Sequence, residues 1–506
     1  MENYSRKDIA GITFFAMSVL ALCYMILSPL NHVIVHYDEY FTLTLLNLPV
    51  MDMITITAGD VHPPLYYLMG EVFVNITKPL GWDLLFSLKI LSVIPYFIIL
   101  IFSATKIRKD FSWFTAGLFS LSLAIMTEFF SHFVRARMYS WAILFVILAF
   151  VAFMDIIKKE DRKSWILLTI FSVLCAYTQY FAAITAGSIY LILLIYLVKF
   201  KKEEIRTWVL SVMAAAILYI PWVFTLISQL ETVHHTYWIP GITLSTIINA
   251  LGYFAYNNDL VFSAAAAIIL AVIIFIYSKT ENTDEKNRFF TLSGIMIYLG
   301  TIILSIIISV VFRPILVIRY LIPASAILWL TISIILSRIE NRKMFLISMG
   351  LIVILLISGL STTISTNDDL YKNGVAQKEV LDNITQDSNS VLIVSNPHLI
   401  MYFLHLSNLT DMYCLNIAQL FGENMTRLHQ VFDFKSYNGN DINKITANNT
   451  DKNVYIISWN DPVLNSSTVQ IDKRGNIVFS KVTPTNATLT TNSWFLLSTD
   501  LSCILF

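Results

Sequence analysis

The sequence predicts an α-helical polytopic membrane protein with about eleven transmembrane helices, followed by a C-terminal extracytoplasmic α/β domain. Three observations carry this. Of 506 residues, 56% are hydrophobic and 13% charged, with a mean hydropathy of +0.68, a balance that lipid rather than water must solvate. The apolar residues gather into nearly uncharged blocks long enough to cross ~30 Å of hydrocarbon at ~1.5 Å per residue. From about Ser361 the composition turns abruptly to Asn, Asp, Ser and Thr, which marks a domain boundary. The predicted domains are 1–361, with a first outer loop over 31–83, and 362–506.

The first block, Ile9 to Leu30, is 22 residues without a charge. No small-residue cleavage site follows it, so it reads as a retained helix rather than a removed signal peptide. Further spans are expected at 84–104, 111–130, 140–157, 165–179, 181–198, 207–228, 260–278, 289–311, 320–337 and 344–361. Short cytoplasmic loops hold the excess of Lys and Arg. With the N-terminus inside, the inner segments carry nineteen of these residues, among them Lys106, Lys158, Lys199 and Arg338. The outer loops carry five: Lys78, Arg135, Arg137, Arg313 and Arg319. This asymmetry predicts a multi-pass protein of the cell membrane with a cytoplasmic N-terminus and an extracytoplasmic tail.

In the tail, Val391–Val394, Val454–Ile457 and Trp494–Leu497 are apolar runs between polar residues and read as strands, while Gly374–Ile384 and Pro397–Leu406 have helical spacing. N-x-S/T triplets at Asn75, Asn383, Asn408, Asn424, Asn448, Asn465 and Asn486 fall in segments assigned to the outside. Of the four cysteines, Cys23 and Cys175 lie inside helices and Cys414 and Cys503 in the tail, with no metal-ligand spacing. A formal net charge of zero without basic patches argues against nucleic acid.

The chemistry-bearing residues concentrate in the first outer loop. Asp38 and Glu39 stand side by side just after the first span, and Asp60-Val61-His62-Pro63-Pro64-Leu65-Tyr66-Tyr67 follows. Carboxylates at the mouth of a helical bundle are costly unless they pair, bind a cation or meet solvent. An ordinary hydrated loop is the alternative, but 31–83 is far longer than a helix-to-helix turn. Tyr40–Leu48 and Tyr66–Val74 have spacing suited to interfacial helices. Pro63-Pro64 fixes the backbone and forces His62 out of the helical region.

These residues resemble the polyprenyl-phosphate-sugar-dependent glycosyltransferases of the GT-C fold. Within them the pattern is most similar to the group of dolichyl-phosphate-mannose protein mannosyltransferases and aminoarabinose transferases. Arg135-Ala136-Arg137-Met138-Tyr139-Ser140 resembles that group's second outer loop, and Tyr177-Thr178-Gln179-Tyr180-Phe181 its small outer turn. Pro221-Trp222, Gln229, Tyr237-Trp238 and Arg319-Tyr320-Leu321 follow in the expected order, so the resemblance covers roughly residues 10–340. Gln179 stands where many relatives have His, and Arg135 where many have Glu, with Glu128 seven residues upstream.

The resemblance implies transfer of a sugar from a polyprenyl or dolichyl phosphate donor to an extracytoplasmic glycan, lipid or protein. Asp38 is expected to serve as general base, with Glu39 tuning its charge, positioning it or holding a cation. Asp60 and His62 are expected to bind substrate. Arg137 and Arg319, at outer helix ends, suit a bidentate grip on the donor phosphate, with snorkelling to the interface as the alternative for each. Tyr139 and Tyr320 either hydrogen-bond that phosphate or form an interfacial aromatic belt. A divalent metal held by Asp38, Glu39, Asp60 and His62 stays open, as does the solvated-loop alternative for His234-His235. A transporter would need ionisable groups near the midplane and a repeat relating two halves. Lys89 is the clear mid-span charge, and no internal repeat is visible. The nearest alternative is a lipid-carrier flippase or a polymerase of lipid-linked glycans.

Overall fold

The computed structural model describes residues 5–27, 37–60, 62–159, 161–236, 239–255, 259–280, 284–386, 389–394, 411–415, 435–437, 442–449, 451–459, 467–470 and 477–482. In chain order the helices are α1 (Arg6–Leu27), α2 (Tyr37–Leu45), α3 (Val50–Gly59), α4 (Leu65–Thr77), α5 (Leu84–Phe102), α6 (Arg108–Asp110), α7 (Trp113–Ile125), α8 (Thr127–Val134) and α9 (Tyr139–Lys159). They continue as α10 (Arg162–Thr178), α11 (Tyr180–Phe200), α12 (Ile205–Thr236), α13 (Leu244–Gly252), α14 (Leu260–Thr280), α15 (Glu285–Val311), α16 (Ile322–Arg338) and α17 (Arg342–Gln386). The chain forms two compact units, one of residues 1–28 and 60–366, the other of 29–59 and 367–506.

The first unit is the helical bundle of a multi-pass membrane protein. Among the described residues, nine helices are long and apolar enough to cross a bilayer, or ten if the bent pair α7–α8 is counted as one span. The segment expected as one straight span at 111–130 is broken by 74° at Met126. Apolar surroundings do not solvate backbone groups freed at such a break, so neighbouring side chains must satisfy them. Thr363 of α17 donates to the Ile125 carbonyl at 2.9 Å, and Thr127 donates to the Gly359 carbonyl at 3.2 Å. The span expected at 165–179 is the 17-residue α10, at the short limit for crossing hydrocarbon.

Packing follows composition. In α9 and α16, 83% and 89% of the most apolar window is buried, against 11% in the Lys202–Leu230 span, so the first two are core and α12 faces lipid. Small residues let helices approach without a hydrophobic driving force. A Cβ on Gly117 of α7 would lie 1.9 Å from the Gly11 carbonyl oxygen of α1, so only glycine fits this crossing.

The helix expected over 374–384 is part of one continuous helix: α17 runs 45 residues, and the two units divide within it after Thr366. No proline lies between Ser361 and Gln386 to stop it.

The second unit contains a six-stranded sheet in the order β3-β2-β1-β4-β6-β5, with β1 (Ser390–Val394), β2 (Met412–Leu415), β3 (Lys435–Tyr437), β4 (Asn453–Trp459), β5 (Ser467–Gln470) and β6 (Ile477–Val482). The first four strands in that order are parallel, and β6 and β5 close one edge antiparallel. β1 pairs with β4 from Ser390 opposite Asn453 to Val394 opposite Ile457, and Val391–Val394 are fully buried, as a central parallel strand requires. These are the strands expected at 391–394 and 454–457. Asp411, just before β2, is clamped by two lysines. Lys435 donates to it at 2.6 Å and Lys452 to its other oxygen, and these bonds, Lys435's first, hold its carboxyl below the usual carboxylate range. The strand at 494–497, the helix at 397–406, Asn408, Asn424, Asn465, Asn486, Cys503, Tyr237 and Trp238 lie outside the described residues, as do the side chains of Asn383, His234 and His235.

Candidate active site

Asp38 and Glu39 belong to the second unit, in the first turn of α2. Carboxylates there interact favourably with the exposed N–H groups of the helix start, which accounts for both as helix-forming residues before any chemistry is assigned. They differ in exposure: Asp38 is half-buried, whereas Glu39 is only 3% exposed and is followed by buried Tyr40 and Thr42. The Asp38 carbonyl accepts from the Thr42 hydroxyl at 3.4 Å, a bond within α2.

In the first unit, His62 of the His-Pro-Pro block and Arg137 of the segment between α8 and α9 meet although 75 residues separate them. Pro63-Pro64 leads into α4, whose Tyr66 and Tyr67 are buried. Arg137 sits in the short segment between α8 and α9, where its amide donates to the Arg135 carbonyl at 2.7 Å. Its side chain is buried, 3% exposed, with Nη2 2.9 Å from His62 Nε2 and Nη1 3.2 Å from the Tyr67 hydroxyl. A guanidinium can only donate. His62 Nε2 must therefore accept, so the ring is neutral with its proton on Nδ1. Asp60 Oδ2 lies 3.9 Å from the same nitrogen. Together His62 and Tyr67 hold the Arg137 guanidinium in a fixed orientation.

Tyr139, the first residue of α9, is buried with its ring 4.3 Å from that of His132. Tyr320 is stacked with Tyr139 at 6.4 Å and tilted against Phe181 at 5.2 Å, so it belongs to a packed aromatic cluster. Arg319 lies in a single helical turn, Ile318–Leu321, with its guanidinium carbon 5.5 Å from the Tyr320 ring centre. The Tyr253 hydroxyl stands 3.1 Å from Glu128 Oε2 and 3.3 Å from the Arg319 carbonyl, and Glu128 is 3.7 Å from His132 Nε2. The structure thus joins Asp60, His62 and Arg137 in one group, and Tyr139, Arg319 and Tyr320 in another.

Sequence reasoning left out Tyr67, His132 and Tyr253. Tyr67 stood in the quoted motif, and the i,i+4 spacing of Glu128 and His132 was a usable signal. Tyr253 offered none, being 125 residues from Glu128. Gln179, which stands where relatives have His, caps α11: its side chain accepts from the Ala182 amide at 3.2 Å. Beside it, the Tyr180 hydroxyl donates to buried Gln229 and accepts from Trp222 Nε1 at 3.1 Å. Among the described residues, no group of three or more His, Cys, Asp and Glu side chains stands close enough together to hold a metal ion.

Comparison with solved structures decides the fold. A crystal structure of ArnT from Cupriavidus metallidurans in the apo state superposes with a TM-score of 0.57 at 12% identity, covering 93% of this chain and 98% of that one. The chain has the ArnT fold. A second structure of ArnT, bound to undecaprenyl phosphate, gives a TM-score of 0.55 at 11% identity, covering 95% and 98%. The GT-C-like architecture expected from the sequence is therefore present over nearly the whole length of ArnT. No protein-family model and no curated protein matches the chain.

Proposed function

We propose that this protein is a membrane glycosyltransferase that moves a sugar from a polyprenyl or dolichyl phosphate to an extracytoplasmic acceptor: a glycan, a lipid or a protein. The observation that carries the reading is the buried Arg137 guanidinium, oriented by His62 and Tyr67. A buried, pre-oriented guanidinium suits a phosphate that gains negative charge as it leaves the anomeric carbon. The ArnT fold, seen in one structure with undecaprenyl phosphate bound, supports a lipid-phosphate donor.

In this mechanism the acceptor oxygen attacks the anomeric carbon and gives its proton to Asp38. The anomeric C–O bond breaks, and its electron pair leaves with the phosphate. Asp38 is the base because it is the less buried member of the acidic pair; Glu39 positions it. Arg319 is the second phosphate contact, with Asp60, His62, Tyr139 and Tyr320 lining the substrate. The charge asymmetry of the loops supports a cytoplasmic N-terminus and domains of 1–361 and 362–506, the second extracytoplasmic.

The test is sugar release from a panel of polyprenyl-phosphate sugars by purified protein in lipid, with and without a chelator. Asp38→Asn should lower turnover by roughly a hundredfold or more, the scale of a lost general base, while the protein remains folded. An Asp38→Asn protein as active as the parent removes the base assignment, and failure to consume any donor favours lipid-carrier transport.

A further inference from the structure

The turn from α10 to α11 reaches both groups of the candidate site. Gln179 is its single non-helical residue, extended at φ −160° and ψ 135°, and its side chain caps the helix that Tyr180 begins. Successive residues of a helix project about 100° apart, so Tyr180 and Phe181 diverge. Phe181 is buried with its ring 5.2 Å from that of Tyr320, in the group that also holds Tyr139 and Arg319. Tyr180 goes the other way. It is half-buried and lies close enough to Asp60 for that carboxylate's charge to act on it.

Two buried residues of α12 fix Tyr180 where it stands. Its hydroxyl donates to Gln229 and accepts from Trp222 Nε1 at 3.1 Å. Trp222 and Gln229 are seven residues apart, on one face of the helix two turns from each other, so they grip the hydroxyl from both sides. A hydroxyl whose proton lies in the bond to Gln229 has no donor left to offer, so a ligand beside it meets the ring. The charges next to the ring indicate which ligand. His62 separates Arg137 Nη2, 2.9 Å from its Nε2, from Asp60 Oδ2, 3.9 Å from the same nitrogen. A phosphate is drawn to the guanidinium and repelled by the carboxylate. The group bonded to that phosphate therefore comes to lie against Asp60 and Tyr180. A sugar suits both, because its hydroxyls donate to a carboxylate and its C–H faces pack on an aromatic ring.

We propose that Tyr180 is a specificity-determining residue whose ring packs against the sugar of the donor, and that Trp222 and Gln229 are positioning residues that set the angle of that ring. This deepens the lipid-phosphate reading above and rests on it. It also gives a role to Trp222 and Gln229, which are buried in a helix that largely faces lipid.

The experiment measures binding of undecaprenyl phosphate, bare and carrying glucose, mannose, galactose or xylose, to the full chain in nanodiscs. The readout is the ratio of sugar-bearing to bare affinity for the sugar that the parent prefers. The parent should bind at least one sugar-bearing form more tightly than the bare one. Tyr180→Leu should lower the ratio by about tenfold, the scale of a lost aromatic contact, with bare undecaprenyl phosphate bound as by the parent. Tyr180→Phe keeps the ring but releases it from α12, so the ratio should fall by about threefold, the effect of one hydrogen bond. Trp222→Phe should lose the same, and the double variant no more, because both act through one hydroxyl. Tyr177→Leu is the control: the Tyr177 ring lies 5.2 Å from that of Tyr219 and its hydroxyl donates to the Leu218 carbonyl, so the substitution removes a tyrosine from the same contact of α10 with α12 and should leave the ratio unchanged. An unchanged ratio in Tyr180→Leu and Tyr180→Phe, equal loss for bare and sugar-bearing forms, additive losses in the double variant, or the same loss from Tyr177→Leu overturns the proposal. So does a parent that binds no sugar-bearing form more tightly than the bare one. Binding of none of these ligands by the parent overturns the lipid-phosphate reading itself.

Discussion

The two ends of α9 show how differently one buried helix handles charge. At its C-terminal end, Asp155 accepts from Lys106 at 2.8 Å and pairs with Lys159 at 3.3 Å, while Lys106 also donates to Asp110. Lys158 lies over the rings of Phe111 and Phe290, at 4.4 and 4.7 Å, and Arg338 sits against Phe290 as well. At the other end, ~30 Å away, Arg137 is held by an imidazole nitrogen and a phenol. Acid against base is an arrangement already satisfied by the protein, so it fastens helices. A guanidinium bonded to an imidazole and a phenol is held in one orientation, the arrangement on which the proposed phosphate contact rests. On the proposed function, the same helix is tied down at one end and carries the phosphate contact at the other.

Substitutions that separate fastening from recognition sharpen this contrast. Asp155→Asn strips the carboxylate from two lysines and should cost about 1–3 kcal/mol of stability, read as a lower unfolding temperature of the full chain in lipid. Its affinity for undecaprenyl phosphate should be unchanged; lost affinity would mean that the two ends of α9 are not independent. Lys158→Met keeps the apolar stem but removes the charge over two rings, for a loss of about 0.5–1 kcal/mol in the same assay. The smallest effect lies in the other unit. Because Asp411 has a depressed pKa in the folded chain, its clamp contributes stability that is fully present above about pH 4 and is lost as the pH falls through the lowered value. Asp411→Asn should therefore flatten the acid limb of a pH–stability curve slightly, by less than about 1 kcal/mol for a pair this exposed. An unchanged acid limb would remove the clamp from the account.

Much of this architecture was legible because membranes impose simple constraints. Uncharged blocks marked the spans, and the paired Asp38-Glu39 and the His62-Pro63-Pro64 block singled out one loop. What the sequence concealed were events whose cause lies far along the chain. Nothing between Phe111 and Phe130 predicts a break at Met126, because the hydroxyl that satisfies the freed Ile125 carbonyl belongs to Thr363. The hydrogen bond between Arg137 and His62 joins two motifs that were read separately. The tail was read least well: β2 and β3 are four- and three-residue strands, Met412-Tyr413-Cys414-Leu415 and Lys435-Ser436-Tyr437, too short for alternation to register. The long run of α17 past Ser361 was hidden for a different reason, since polar composition signals exposure and not the end of a helix.

The central claim is that Arg137 is built to meet a phosphate, and binding of undecaprenyl phosphate to Arg137→Gln in lipid tests it most directly. The account predicts an affinity reduced by about ten- to a hundredfold, the loss of a charge-assisted hydrogen bond, with the unfolding temperature little changed. An Arg137→Gln protein that binds undecaprenyl phosphate as tightly as the parent, or whose weaker binding merely follows a loss of stability, would contradict it.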